Sequence, residues 1–202
     1  HLSVYKQKFE DDVASFREFE AMDYVKSLKN QGLEDEAIEV GKTFLEQRPD
    51  LTAYINQYGY ALYNKYIKNL QDKEDVNAEM VAEIAKEILE VCKQERYSPY
   101  EATCNAMIKY ALSKSPVDYE MVAAYLDKLD PTLLSKEPFV QEGRKEGESK
   151  FERWYRLTVR SAYETKNYKK CVEMANQAMA MNIKWHYRNA YWIRIYRAKA
   201  NL

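Results

Sequence analysis

The sequence predicts an all-α protein of about eight or nine helices, arranged as antiparallel pairs. Three observations carry this. Helix breakers are scarce, with five Gly and five Pro in 202 residues, while strong helix formers such as Ala, Glu, Lys, Leu and Met are frequent. Apolar residues recur at i, i+3, i+4 and i+7 along most of the chain, the period of an amphipathic helix. Two Ser-Pro pairs, Ser98-Pro99 and Ser115-Pro116, are each followed by an acid, Glu101 and Asp118. That pattern opens a helix with a capping hydroxyl, a proline at the first helical position and an acid in the first turn.

Composition bounds the rest. With 46% hydrophobic and 31% charged residues the chain can bury a core, and it lacks the profile of a disordered one. Its length suits one domain or a short solenoid. No apolar run approaches the roughly 18 residues of a membrane span, and the start shows no signal-peptide pattern. The chain opens on His1 rather than Met, so a trimmed start is expected. Cys92, Cys104 and Cys171 form no C-x-x-C motif. An odd, scattered set reads as reduced core thiols in a cytoplasmic protein, with a metal or redox pair at Cys92 and Cys104 as the alternative. The 18 Tyr supply amphipathic rings suited to half-buried or ligand-binding surfaces.

The elements follow in order. In "KNQGLEDEAIEVGKTFLEQRPD", residues 29–50, Asn30-Gln31-Gly32 closes one helix, because Gly enters the left-handed region without steric cost. Ala37, Ile38, Val40, Phe44 and Leu45 then form the stripe of a second helix. Pro49 ends it, since proline cannot continue the hydrogen-bonded ladder. A further helix is expected from about Leu51. Ala37 and Gly59 are small where two helices would cross closely.

This unit resembles a tetratricopeptide repeat (TPR), a 34-residue helix-turn-helix with small, aromatic and proline residues at fixed offsets. Ala37 and Pro49 stand twelve residues apart, as that pattern requires. "INQYGYAL" supplies Gly59 at the small position of the next first helix, 34 residues after Val25. Gly41 stands where Phe is usual and Phe44 where Ala is usual, so large and small residues exchange places across one contact. The resemblance implies a right-handed superhelical solenoid whose first helices line a concave groove.

Further along, "VNAEMVAEIAKEILEVCKQE" places Val81, Ile84, Ile88, Val91 and Cys92 on one face. Helices are expected from Pro99 and from Pro116, the latter stopping before Asp130-Pro131. Residues 131–149, with two Pro and two Gly, form the one candidate loop or linker. It separates TPR-like pairs in 1–130 from TPR-like helices in 150–202, all within one solenoid domain. Trp154, Leu157 and Ala162 mark the inner face of the next helix; Tyr168, Cys171, Val172, Ala175 and Ala178 mark its partner's. "KWHYRNAYWIRIYRAKANL" closes the chain with Trp192, Ile195 and Ala198 as its inward face. No partner helix follows, so the natural protein is expected to continue past Leu202.

No phosphate-binding, dinucleotide-binding, zinc-protease or serine-hydrolase motif occurs. No enzyme and no cofactor are therefore expected. His186 reads as a packing or surface residue, and Asp11-Asp12 and Asp35-Glu36 as solvated helix starts. Residues 151–202 hold 11 Lys+Arg against 3 Asp+Glu, a net of +8, which leaves −9 for residues 1–150 given the total of −1. The groove expected from the resemblance would present Lys26, Lys29 and Asn30, then Asn56, Tyr60, Tyr63 and Asn64. In the basic segment it would present Arg153, Arg156 and Arg160, with Arg197 continuing the line. Arginine forks suit carboxylate or phosphate, so the expected partner is a protein or peptide of acidic character. The other reading of the row is a solvated face paired with the protein's own acidic half. Trp185 and Trp192 are expected in the core.

Three functions follow. The first is a non-enzymatic protein-interaction scaffold. The second is a nucleic-acid-associated module; the Arg-, Tyr- and Trp-rich end is also similar to TPR regions attached to nuclease or helicase proteins of bacterial conflict systems. The third is a peptide-sensing regulator in which Asn56, Asn64 and Asn105 grip a backbone.

Overall fold

The local signals just described become helices throughout the computed structural model, which describes residues 2–95, 98–139 and 147–202. His1 and residues 140–146, including most of the charged part of the expected loop, lie outside the described residues. Among the described residues there are ten α-helices: α1 (Leu2–Asp11), α2 (Glu18–Asn30), α3 (Glu34–Gln47), α4 (Ile55–Leu62), α5 (Ala78–Val91), α6 (Pro99–Ser113), α7 (Tyr119–Leu126), α8 (Lys150–Glu164), α9 (Tyr168–Ala180) and α10 (Tyr187–Ala200). No strand occurs among the described residues. The count exceeds the expected eight or nine. α1 escapes a periodicity argument because it fully buries no residue of its own; it turns the Tyr5 and Phe9 rings onto Phe16, Tyr24 and Phe44. The chain divides into two units, His1–Ala106 and Met107–Leu202, with the division falling inside α6.

In the first unit the α2–α3 turn forms as the sequence dictates. Gly32 sits at φ +74°. Its N–H donates to Lys29 O at 3.1 Å, and the Leu33 N–H donates to Leu28 O at 3.1 Å. These two bonds satisfy carbonyls that a helix end otherwise leaves open. An aromatic cluster of Phe9, Phe16, Tyr24, Phe44 and Tyr54 fills the space between α1, α2 and α3, with ring centroids 5.1–6.2 Å apart. Arg48, just after α3, donates to Val13, Ala14 and Phe16 carbonyls and forms a fork with Asp50. Asp11 closes α1 and Asp12 caps the following 3-10 turn, so this acid pair does not begin an α-helix.

The helix expected from Leu51 begins at Ile55 instead. The Thr52 and Ala53 N–H groups donate to the Glu18 carboxylate at 2.8–3.1 Å, holding that stretch as a turn. Further on, residues Tyr63–Ile67 widen into a π turn, closed by Lys68 N–H on Tyr63 O at 2.8 Å.

Two glycines let helices meet. A Cβ on Gly41 would fall 2.8 Å from Tyr58 Cγ and nearer still to its Cδ2, so α3 lacks a side chain where the ring of α4 lies. A Cβ on Gly59 would meet Cys92 Sγ at 2.5 Å and Pro99 Cγ at 2.8 Å. Ala37 and Val25 are fully buried.

In the second unit, α7 starts at Tyr119 rather than near Pro116. The Asp118 carboxylate takes the Met121 N–H at 3.0 Å and so fixes the start three residues later. The Ser115–Pro116 peptide is cis. Ser98, by contrast, caps α6 as expected, its hydroxyl accepting from Glu101 N–H at 3.3 Å. α8 opens with a capping box of Ser149 and Glu152. The α8–α9 turn repeats the α2–α3 bonding, with Lys166 N–H on Tyr163 O and Asn167 N–H on Ala162 O, but Lys166, not glycine, holds the positive φ of 60°. On α9, Cys171, Ala175 and Ala178 are buried, while Tyr168 is 45% exposed. The inward face of α10 is Asn189, Ile193 and Tyr196, one step round the helix from the expected Trp192, Ile195 and Ala198. The i, i+4, i+7 set is equally consistent with a helical period, and Ile193 rather than Trp192 takes the space against α8 and α9.

Ala37→Leu and Gly59→Ala should each cost about 1–3 kcal/mol by overpacking, read as a lower midpoint in urea melts. For Gly59 the loss should outweigh the gain in helix propensity, because Pro99 is a rigid neighbour. A second expectation concerns pH. The Lys8 ammonium, and then the Arg17 N–H, hold the Glu20 carboxyl down at about 2. In the unfolded chain a Glu protonates near 4.3. The folded state therefore keeps a contribution above about pH 4.5 that is lost as pH falls toward 2. Glu20→Gln should be less stable than wild type at pH 6, and the difference should vanish by about pH 2 in acid melts.

Candidate functional site

The basic segment collects its charges on α8. Arg153, Arg156 and Arg160 share one side of that helix by their three- and four-residue spacing, and all three are half-buried. Their environments differ. Arg156 makes a fork with Glu148, Nε to Oε2 at 2.9 Å and Nη2 to Oε1 at 2.5 Å. Arg160 lies 3.9 Å from the Glu164 carboxylate, with its guanidinium 5.3 Å from the centre of the Tyr119 ring. The Arg160 Nε is buried without a hydrogen-bond partner. Burial, and secondarily the charge of Arg156, lowers the pKa of Arg153 from its ordinary value, while Glu148 opposes this. Glu148 thus relieves a row whose sequence shows no acid between its members.

α10 completes the site. Arg156, Arg160, Trp192 and Tyr196 line one cleft of about 180 Å³. Trp192 is 43% exposed, contrary to its expected place in the core. Trp185 is half-buried against Phe151 and Tyr155. Arg197 does not line this cleft: its Nη1 reaches Asn176 Oδ1 and Met179 Sδ on α9, each at 3.2 Å.

The two helices are held in place by one carboxylate. Glu152, buried, accepts Ser149 N–H at 3.1 Å through Oε2 and His186 N–H at 2.5 Å through Oε1. The start of α8 and the start of α10 are therefore fixed to each other.

The other sequence-derived residues lie in the first unit. Lys29 Nζ stands 5.6 Å from the centre of the Tyr60 ring, and Tyr60 meets Tyr63 edge-on at 6.4 Å. Burial, then the charge of Lys26, lowers the Lys29 pKa, so the two lysines are electrically close. Tyr63 and Asn64 fall in the π turn, a distortion often found at functional positions. Asn56 and Asn64 are half-buried. Asn105 is on α6.

Other chemistry is sparse. All three cysteines are buried and none forms a disulfide among the described residues, and burial pushes the Cys92 thiol to about 12 and the Cys171 thiol to about 11. Among the described residues, no group of three or more His, Cys, Asp and Glu is placed to hold a metal ion, and no helix is long and apolar enough to cross a membrane. The exposed Trp192 and the contribution of α10 to the cleft depart from expectation because the inward face of α10 lies one residue round the helix, at Asn189, Ile193 and Tyr196. The polar Asn189 at that face gives no apolar signal in the sequence.

Comparison with protein-family models, with curated proteins and with solved structures yields no match.

The α10 face can be checked directly. Trp192→Ala should change stability by less than about 1 kcal/mol, whereas Ile193→Ala should cost about 2–5 kcal/mol. Equal losses in thermal melts would restore the expected face.

Proposed function

We propose that the chain is a non-enzymatic, TPR-like binding module, and that the cleft between α8 and α10 takes an acidic peptide or protein segment. The carrying observation is that Arg156, Arg160, Trp192 and Tyr196 line one cleft inside a segment of net charge +8. Guanidinium forks receive carboxylates. An exposed indole beside them contributes apolar contact area at little entropic cost. The TPR-like reading is supported by packing order: α2 meets α3 and α4, and α8 meets α9 and α10. It is supported also by Glu18 and Glu152, each bonding a backbone N–H 34 residues further on. A solenoid built this way would place α8 and α10 as neighbouring first helices of a groove. The first unit's Lys26, Lys29, Tyr60 and Tyr63 form a second, smaller basic and aromatic face for the same kind of partner.

Arg188 and Arg194, set among exposed Tyr187, Tyr191 and Trp192, favour a second reading, single-stranded nucleic acid, since bases stack on such rings.

Titration of a Glu-rich peptide, single-stranded DNA and RNA at two salt concentrations separates these readings. The peptide should bind wild type, and Arg160→Ala/Trp192→Ala should weaken it roughly tenfold. A nucleic acid that binds more tightly, with a steep salt dependence, would select the second reading. If no anionic ligand distinguishes wild type from the variant at low salt, the arginines form only a solvated face.

A further inference from the structure

Beside the cleft lies a larger cavity of about 480 Å³, at the start of α10. Its lining includes Glu148, Arg156, His186, Arg188, Asn189 and Trp192. Several features converge there. α10 has 14 residues and no acid in its first turn; the Glu152 carboxylate takes the His186 N–H just before it and leaves the next N–H groups of the positive helix end open. The Tyr187 and Arg188 N–H groups have no acceptor within the helix. Two guanidiniums, from Arg156 and Arg188, border the same space. Asn189 gives an independent sign: it is only 3% exposed, it lines the cavity, and its amide nitrogen has no hydrogen-bond partner. A buried donor of that kind costs stability unless something accepts from it.

We propose that this cavity binds a phosphate monoester group. Two guanidiniums, two main-chain N–H groups and a side-chain amide offer more donors than one carboxylate can use. A phosphate monoester has three acceptor oxygens and a charge between about −1.5 and −2 at neutral pH. Helix N-termini suit such groups. The Trp192 indole, walling the cavity and shared with the neighbouring cleft, is an apolar surface for whatever carries the phosphate. Glu148 opposes the ligand. Its carboxylate occupies the Arg156 fork, and phosphate binding draws that fork away from it. Glu148 therefore acts as a competing internal anion that sets the affinity.

The phosphate can come from a phosphoserine in the acidic segment or from a small phosphomonoester. Only the first source rests on the peptide reading above. The test uses inorganic phosphate and phenyl phosphate, followed by tryptophan fluorescence and 31P NMR, and a Glu-rich peptide with either serine or phosphoserine. Wild type should bind both small anions. Arg188→Ala should weaken them roughly tenfold while leaving the unphosphorylated peptide within twofold. Arg160→Ala should do the reverse. Glu148→Gln should tighten phosphate, a gain that misfolding cannot produce. A phosphoserine peptide that gains at least tenfold over its serine form assigns the source to the peptide; no gain, with the small anions still bound, assigns it to a small phosphomonoester. If the peptide fails while phosphate binds, the cavity stands and the peptide reading falls. If phosphate binding is absent, or is indifferent to both Arg188→Ala and Glu148→Gln, the proposal is overturned.

Discussion

A single carboxylate near the start of one helix, bonded to a main-chain N–H near the start of another, organises each half of this protein. Glu18 does it for α2 and the turn before α4, and Glu152 does it for α8 and α10. The Thr52 and His186 N–H groups each lie 34 residues beyond their carboxylate. The chemistry is economical, because helix starts always leave N–H groups open and an ionised acceptor strengthens the bond. Glu152 adds the capping-box bond to Ser149, so one side chain serves two helix starts. With both starts fixed, the faces of α8 and α10 can leave a cleft between them without sliding apart. The cleft then depends on an interaction outside its own lining.

The second constraint is the absence of side chains at crossings. Gly41 and Gly59 are not there for backbone freedom, since neither has positive φ. They are there because Tyr58, Cys92 and Pro99 fill the volume that a Cβ would take. Tyr58 lies over Gly41, while Phe44, three residues on, joins the aromatic cluster.

Where signals are local, the sequence is legible. Gly32 marks its turn and Ser98 its cap, since each acts through residues within a few positions. Lys166 does the same work as Gly32, but a lysine carries no turn signature, and its left-handed conformation follows from the bonds around it. The start of α4 depends on Glu18, which holds Thr52 from 34 residues away, and no reading of residues 49–55 alone can reveal it. The site was partly legible. Spacing gives the shared side of Arg153, Arg156 and Arg160, but their pairing with Glu148 and Glu164, and their meeting with Trp192, depend on how α8 and α10 dock. Arg197 looks like a continuation of the row until α9 takes it up. The register of α10 turned on whether Trp192 or Ile193 faces inward, and a tryptophan in an aromatic-rich helix biases that choice toward the larger ring.

The distribution of rings has an optical consequence. All three tryptophans, Trp154, Trp185 and Trp192, belong to the second unit, while the aromatic rings in the first unit's core are Phe and Tyr. Light absorbed only by indole therefore reports on residues 107–202 and is blind to residues 1–106. The 18 tyrosines divide nine and nine between the units, so the tyrosine signal reports on both. One unmodified sample thus carries an indole signal for the second unit and a tyrosine signal for both, and a difference between the two transitions tells whether the halves come apart together or in turn, without attaching a label.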